Sequence, residues 1–288
     1  MLKRLTNTQQ GLVLALTGYS AFAVSDSCVK WLTDFYSIYQ IIAIDTLLAG
    51  LMLLAFSGRL GGLASLKDSA NTKLHILRIV LNFAVNILMV YCLSFLPLVT
   101  IYTAVFTKPF LAVLIAMPLY GEKVGLHRWI SIIIGFAGII LAFQPWQNGI
   151  GLDFLLPFGL TFLIALLFVL SRSLKNASIL ATGFYPIFGA FVLTLPLAVA
   201  DYAPVALWHW AVLGLSAMGV AAGITCVSMA FRKADAGLVS PMMYSEMIWA
   251  LVLGYFIFSE TPGMWMLVGA AIIIGGGIYL IESERRKV

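Results

Sequence analysis

The chain has 288 residues, of which 62% are hydrophobic and 10% are charged, and its mean hydropathy is +1.03. A water-soluble core cannot take up so much apolar surface, so the composition excludes a soluble globular protein and indicates an integral membrane protein. The net charge of +5 would also suit a nucleic-acid-binding protein, but the positions of the basic residues explain it without nucleic acid. The sequence therefore predicts a lipid bilayer as its surroundings and no nucleic-acid partner.

The apolar segments predict an all-α membrane protein with ten transmembrane helices. Each segment approaches the length of about 20 residues that spans the hydrocarbon as a helix, and the alternating strands of a membrane β-barrel are not evident. The first segment is too long for a signal-peptide core and is expected to stay in the mature protein. The predicted spans are 11–32, 37–57, 74–95, 98–120, 127–144, 151–171, 179–200, 205–230, 237–258 and 263–282.

The basic residues predict the orientation of these helices. Of the 17 Lys and Arg residues, Lys30 falls near one side and Lys108 falls inside a span. All the others fall on the opposite side: Lys3, Arg4, Arg59, Lys67, Lys73, Arg78, Lys123, Arg128, Arg172, Lys175, Arg232, Lys233, Arg285, Arg286 and Lys287. The positive-inside rule then places both termini in the cytoplasm, with an even number of crossings of the inner or plasma membrane.

A repeated pattern divides the chain into two halves. Its first copy consists of Lys108, Ala112, Glu122, Gly125, Gly138 and Ile140. Its second copy, at a constant offset (246 − 108 = 138 residues), consists of Glu246, Ala250, Glu260, Gly263, Gly276 and Ile278. Five crossings per half force the halves to enter the membrane with opposite orientation, so residues 1–146 and 147–288 are predicted to be two inverted five-helix repeats. Inverted repeats with a substrate site near the midplane are typical of carriers.

The segments Glu122-Lys123-Val124-Gly125 and Glu260-Thr261-Pro262-Gly263 each follow a helix with a charged residue at its centre and precede a Gly-rich helix. In this they resemble the paired EamA domains of the drug/metabolite transporter superfamily, and the resemblance covers almost the whole chain. It implies a secondary transporter that exports small amphipathic metabolites, most of all aromatic or other apolar amino acids, as YddG-type exporters do. A carrier of drugs or other metabolites is the alternative, and a channel is a further one.

Lys108 and Glu246 are the first candidates for a substrate site. Each lies at the middle of its predicted span, roughly 15 Å deep at about 1.5 Å per residue, where a charge costs about 2.5–3.5 kcal/mol or more. They are expected to border one central cavity between the repeats, or to form an ion pair that holds the halves together. Lys108 departs from the acidic residue frequent at this position in the superfamily, so no charge role is carried over to it.

Further polar and aromatic residues complete the predicted substrate site. Asn82 and Asn86 share a helix face near the midplane, where amides bind amino and carboxyl groups or join neighbouring helices. Aromatic walls suit a zwitterion with an apolar side chain. The aromatic candidates are Tyr19, Tyr102, Tyr244 and Trp249.

Three charged residues nearer the membrane faces are candidates for gating or ion pairing. Asp26 and Lys30 lie four residues apart on the first helix and are expected to pair on one face. Asp45 lies well inside the second helix and needs a partner or a proton, either as an anchor or in transport. Because midplane groups meet a substrate in both inward-open and outward-open states, depth ranks Lys108, Glu246, Asn82 and Asn86 above Asp26 and Asp45.

The sequence does not favour an intramembrane enzyme. The three His residues fall near span ends, and neither H-E-x-x-H nor a Walker A pattern is found, so no catalytic site, metal or cofactor is predicted. Cys28, Cys92 and Cys226 are expected to be buried thiols. Gly-rich stretches such as Gly219 and Gly223 favour close helix packing. The predicted oligomeric state is a monomer or a homodimer.

The topology predicts the reactivity of introduced cysteines. In intact cells, Lys67→Cys and Arg285→Cys proteins should not react with a membrane-impermeant maleimide, because both positions face the cytoplasm, and they should react after permeabilisation. Asp34→Cys, between the first two spans, is the external control. External labelling at position 67 or 285 would overturn the predicted topology.

Overall fold

Apolar segments of this length fold as helices because the hydrocarbon offers no water to satisfy backbone N–H and C=O groups. The computed structural model describes residues 6–66, 72–121, 125–148, 150–174, 177–234 and 236–285. Every regular element in these ranges is helical, as predicted. The repeat residues 122–124, with Glu122, lie outside the described residues, as do the basic residues Lys3, Arg4, Lys67, Lys123, Lys175, Arg286 and Lys287.

Fourteen helices are found in the described part of the chain. Those before residue 144 are α1 Asn7–Leu32, α2 Ile38–Ala55, α3 Ser57–Leu60, α4 Thr72–Phe95, α5 Leu98–Val105, α6 Lys108–Tyr120 and α7 Leu126–Phe143. Those after it are α8 Pro145–Asn148, α9 Leu152–Ser171, α10 Ile179–Ala200, α11 His209–Lys233, α12 Ala236–Val239, α13 Ser245–Phe258 and α14 Met264–Arg285. Short 3₁₀ helices occupy Leu63–Leu66, Arg172–Leu174 and Ser240–Tyr244.

The helices support a multi-pass membrane protein. Within the described ranges, eight helical segments are long and apolar enough to cross a membrane, including Leu98–Tyr120 and Ser240–Phe258. Shorter apolar helices, Trp129–Phe143 and Met264–Leu280, occupy the fifth and tenth predicted spans. The count of ten crossings and the inverted arrangement of the halves remain predictions.

The offset of 138 residues found in the sequence also relates the first and last residues of helices in the two halves. Helix α4 ends at Phe95 and α11 at Lys233; α6 ends at Tyr120 and α13 at Phe258. Helix α7 begins at Leu126, and α14 begins at Met264. The repeated pattern therefore corresponds to a repeat of local structure.

The chain forms two compact units, and each draws segments from both halves of the sequence. Unit 1 contains the described residues of 1–16, 96–169 and 230–288, and unit 2 contains those of 17–95 and 170–229. In unit 2, α2 packs against α10 around Ala49, Leu53 and Leu180. Both of these helices begin after a serine that caps them: Ser37 accepts from the Gln40 amide, and Ser178 accepts from the Ala181 amide.

Glycines bring helices together in both units, as the sequence predicted. In unit 2, a Cβ added to Gly219 of α11 would lie 2.6 Å from the Ala21 carbonyl oxygen of α1. In unit 1, α7 and α14 approach closely, because a Cβ on Gly269 would lie 2.5 Å from the Gly138 carbonyl oxygen. Only a hydrogen at these positions lets the backbones approach so closely.

This contact predicts different outcomes for two glycines of α14. Gly269→Ala should lower the thermal midpoint in detergent, because overpacking at a backbone contact costs about 1–3 kcal/mol. A Cβ on Gly275 meets nothing within 4 Å, so Gly275→Ala should be neutral or stabilising by up to about 1 kcal/mol through helix propensity. Fluorescence-detected size exclusion after heating measures both. Equal midpoints for the two variants would contradict the tight α7–α14 contact.

Candidate functional site

Two long apolar segments of unit 1 depart from regular α-helix near the same position of the repeat, although each continues as one helical span. In the first, α5 ends at Val105 and α6 begins at Lys108, and the Thr107 carbonyl accepts from the Phe110 and Leu111 amides. Pro109 lacks an amide hydrogen and favours the first turn of a helix, which explains why α6 starts there. In the second, the 3₁₀ helix Ser240–Tyr244 precedes α13, which begins at Ser245.

The two irregularities place oppositely charged residues in the first turns of α6 and α13. Lys108 is partly buried and Glu246 is buried, with 8% of its surface exposed. Both residues belong to unit 1, and the negative charge of Glu246 acts on Lys108. An opposite charge nearby lowers the cost of burying each of them. Glu246 also lies where the positive end of the α13 dipole stabilises a carboxylate.

Aromatic residues that contact one another precede Lys108 in the first segment and Glu246 in the second. Phe106 is fully buried, stacks with Tyr102 at 6.1 Å between ring centroids, and meets Tyr244 edge-on at 5.2 Å. No hydrogen-bond partner among the described residues reaches the buried Tyr244 hydroxyl. Two of the predicted aromatic residues thus come together, linked by Phe106, which the sequence did not single out. Trp249 is partly buried on α13, and Tyr19 is buried in unit 2.

The glutamate of the second repeat motif caps a helix. Glu260 follows α13, and its Oε2 accepts a hydrogen bond of 2.9 Å from the amide of Leu98, the first residue of α5. Its own amide donates to the Gly254 carbonyl at 2.9 Å, which closes α13. The motif therefore satisfies donors at a helix start, which would be unpaired in the hydrocarbon.

Unit 2 contains a small cavity lined by predicted site residues. Its volume is about 60 Å³, and its polar lining is Ser25, Asp26, Asp45 and Asn86. The remaining lining is apolar: Val29, Ile41, Ile42, Met89, Val90, Leu93 and Val220. Asp45 lies eight residues into α2, and only 8% of its surface is exposed. A space of this size holds a few water molecules but not an amino acid.

The carboxyl group of Asp45 is incompletely satisfied. The Ser216 side chain of α11 forms a hydrogen bond with it, and the Ser216 hydroxyl also pairs with the Ser25 hydroxyl at 3.0 Å. Oδ1 of Asp45 is buried, and no described residue donates to it. A buried acceptor without a partner costs free energy unless a proton, cation or water reaches it.

The two asparagines have different surroundings. The Asn82 amide donates to the Pro186 carbonyl of α10 at 3.1 Å, which is the helix-joining role that the sequence left open. The Asn86 amide donates to the Asn82 backbone carbonyl at 2.7 Å, and the side chain of Asn86 lines the cavity. Asn86 is therefore the better placed of the two to meet a bound species.

The outer pair of candidates also lies in unit 2. Lys30 donates to the Leu93 carbonyl of α4 at 3.1 Å, and Asp26 lines the cavity beside Asp45. Both Asp26 and Lys30 take part in further polar interactions. Their pairing with each other remains a prediction.

The burial of two polar residues of unit 2 was not predicted from the sequence. Arg78, which the sequence assigns to the cytoplasmic side, lies inside α4 with 8% of its surface exposed, and its Nη2 donates to the Thr182 carbonyl at 3.2 Å. Pro186 lacks the amide hydrogen that would otherwise bond Thr182 in α10, which explains the free carbonyl. His75, one turn before Arg78, is buried against Tyr185 with ring centroids 5.0 Å apart. The sequence feature that indicates a free carbonyl for Arg78 is Pro186, four residues after Thr182.

The sequence matches the model of the EamA-like transporter family twice, over residues 9–144 and 152–282. It is 26% identical, over 74% of each chain, to an S-adenosylmethionine uptake transporter of Rickettsia bellii. It is 24% identical to a riboflavin transporter of Vibrio cholerae, over 96% of this chain and 95% of the relative.

A solved structure supports the fold. A protein crystal structure with 15% sequence identity aligns with a TM-score of 0.67 over 97% of this chain and 99% of the other. At this identity the likeness concerns the fold alone.

The Lys108–Glu246 interaction predicts a double-variant rescue. Lys108→Met and Glu246→Gln should each lower the thermal midpoint, because breaking a buried pair leaves an uncompensated charge at a cost of about 3–5 kcal/mol. The double variant should recover most of the loss, since neither charge remains. Lys73→Met, at an exposed lysine of α4, is the control and should change little. Additive losses in the double variant would show that the two residues do not interact.

Proposed function

Because the chain belongs to the EamA-like transporter family, we propose that it is a secondary transporter of small amphipathic zwitterions, namely amino acids and amino-acid derivatives. The observation that supports the proposal is the pair of locally irregular spans with Lys108 and Glu246 in repeat-equivalent first turns. Broken helices at substrate depth are a feature of carriers that work by alternating access. Transport of a small metabolite also agrees with the names of the relatives.

The residues of unit 1 complement each part of such a substrate. The α-carboxylate of an amino acid pairs with Lys108 at the positive end of the α6 dipole, and the α-ammonium pairs with Glu246. The substrate thus replaces the internal ion pair by two pairs of its own. The rings of Tyr102, Phe106 and Tyr244 suit an apolar or aromatic side chain.

S-adenosylmethionine falls within this class, because it keeps the amino and carboxyl groups of methionine. The name of the Rickettsia relative therefore supports an amino-acid derivative as substrate. Export is the direction that the superfamily resemblance implies, and uptake is favoured by that relative's name. Transport assays in both directions separate these two.

A neutral heteroaromatic metabolite of the riboflavin type is the second candidate. The riboflavin transporter of Vibrio cholerae aligns over nearly the whole chain, which favours this alternative. Riboflavin carries no α-ammonium or α-carboxylate, so it would use the aromatic cluster and amides rather than the charges. The dependence of transport on Glu246 distinguishes the two substrate classes.

Purified protein in liposomes tests the proposal. Radiolabelled aromatic and aliphatic amino acids, S-adenosylmethionine and riboflavin are assayed for saturable uptake and for counterflow, with protein-free liposomes as the blank. Saturable counterflow of an amino acid or derivative is the expected result. Conductance far above carrier turnover would identify a channel instead, and counterflow of riboflavin alone would favour the second candidate.

Removing the charge of Glu246 should weaken substrate binding without changing side-chain size. In folded Glu246→Gln protein the half-saturating concentration should rise roughly 5- to 150-fold, because a hydrogen bond to a charged group contributes about 1–3 kcal/mol. Glu282→Gln on α14 is the matched control. An unchanged half-saturating concentration for every transported substrate would remove Glu246 from the site.

A further inference from the structure

We propose that Asp45 carries the proton that couples transport to the proton gradient. The proposal rests on the proposed function for the coupled step, but the binding of the proton itself is testable without a substrate. Its basis is the small cavity of unit 2, which is lined by Asp45 and Asp26, together with the buried Oδ1 of Asp45.

The surroundings of Asp45 favour binding of a proton. The residue is buried among the apolar side chains of Ile41, Ile42 and Val220, which line the same cavity. Because its Oδ1 lacks a donor among the described residues, the ionised form loses hydration without full compensation. A proton on Oδ1 removes the charge and supplies a donor of its own.

Among the described residues, the groups on the helices packed around Asp45 do not supply the hydrogen-bond donor that Oδ1 lacks. Helix α1 contributes Asp26, which lines the same cavity, and Cys28, whose thiol lies near both carboxyl groups. Lys30, on the same helix, donates to the Leu93 carbonyl. Helix α11 contributes the Ser216 hydroxyl, and α4 contributes the Asn86 amide. On α10, the Tyr185 hydroxyl is used by the Leu66 carbonyl.

A sodium ion suits the cavity less well. Hard cations take about six oxygen ligands, whereas most of the lining is apolar and its one hydroxyl, that of Ser25, is paired with Ser216. A volume of about 60 Å³ admits the water that delivers a proton.

In the loading step, hydronium transfers its proton to Oδ1 of Asp45, so that one O–H bond breaks, another forms and water leaves. Release reverses this step on the other side of the membrane.

Infrared difference spectroscopy tests proton binding on the purified protein. Between acid and alkaline pH the wild-type spectrum should contain a carbonyl band from a buried protonated carboxylic acid, separate from the bands of exposed carboxyl groups, and this band should disappear in Asp45→Asn. Asp34→Asn, an exposed aspartate beyond α1, is the matched control and should retain the band. The thermal midpoint of Asp45→Asn should equal or exceed that of wild type, because no charge is buried. A band unchanged by Asp45→Asn would overturn the proposal whatever the substrate screen gives.

Liposomes loaded with a substrate from the screen test coupling. With the membrane potential clamped, a difference of one pH unit sustains about tenfold accumulation for one proton per substrate. Asp45→Asn should lose this accumulation and retain substrate exchange at zero gradient, whereas Asp34→Asn should retain both. Gradient-driven accumulation by Asp45→Asn would overturn the proposal, as would accumulation by wild type driven by sodium and not by protons. Absence of transport by wild type would count against the proposed function only, because the infrared result stands apart from it.

Discussion

The cost of an ionised or unpaired polar group inside the hydrocarbon is the constraint on which the arrangement of this protein depends. The structure meets this cost in three ways. Lys108 and Glu246 attract each other, Arg78 donates one hydrogen bond to a carbonyl freed by a proline, and Asp45 lines a small cavity, where its Oδ1 has no donor among the described residues. Nε and Nη1 of Arg78 also lack a partner in the described part of the chain. The small cavity beside Asp45 is what gives the proposed proton access to its carboxyl group.

Interrupted backbone hydrogen bonding determines where the polar side chains are placed. Pro186 leaves the Thr182 carbonyl of α10 without an amide, and Arg78 uses it. The Glu260 carboxylate satisfies the Leu98 amide at the start of α5. Pro109 and the 3₁₀ helix before α13 start new helices at Lys108 and Ser245. The same defects that would be costly in lipid thus create the charged first turns on which substrate recognition is proposed to depend.

The sequence was a good guide to local structure and to which residues are unusual. Helix positions follow from hydropathy, and the offset of 138 residues reappears in the ends of α6 and α13, because both depend on neighbouring residues along the chain. Partners distant in sequence were not predictable. Asn82 bonds Pro186 and Glu260 bonds Leu98, and nothing in the local pattern indicates which carbonyl or amide lies opposite. Arg78 resembled a cytoplasmic cation because hydropathy cannot distinguish an arginine near a helix end that is buried from one that is solvated.

The size of the cavity supports the proposal that selectivity and coupling use different residues. The cavity beside Asp45 measures about 60 Å³, which is enough for water and a proton but too small for an amino acid, whereas the charged first turns of α6 and α13 match the two ends of a zwitterion. Two sites in one carrier influence each other only through conformations that bind each ligand differently. By reciprocity, the factor by which a proton on Asp45 changes substrate affinity equals the factor by which bound substrate changes proton affinity. Gradient-driven transport therefore requires no contact between substrate and Asp45, only that the conformational states differ in their affinity for both.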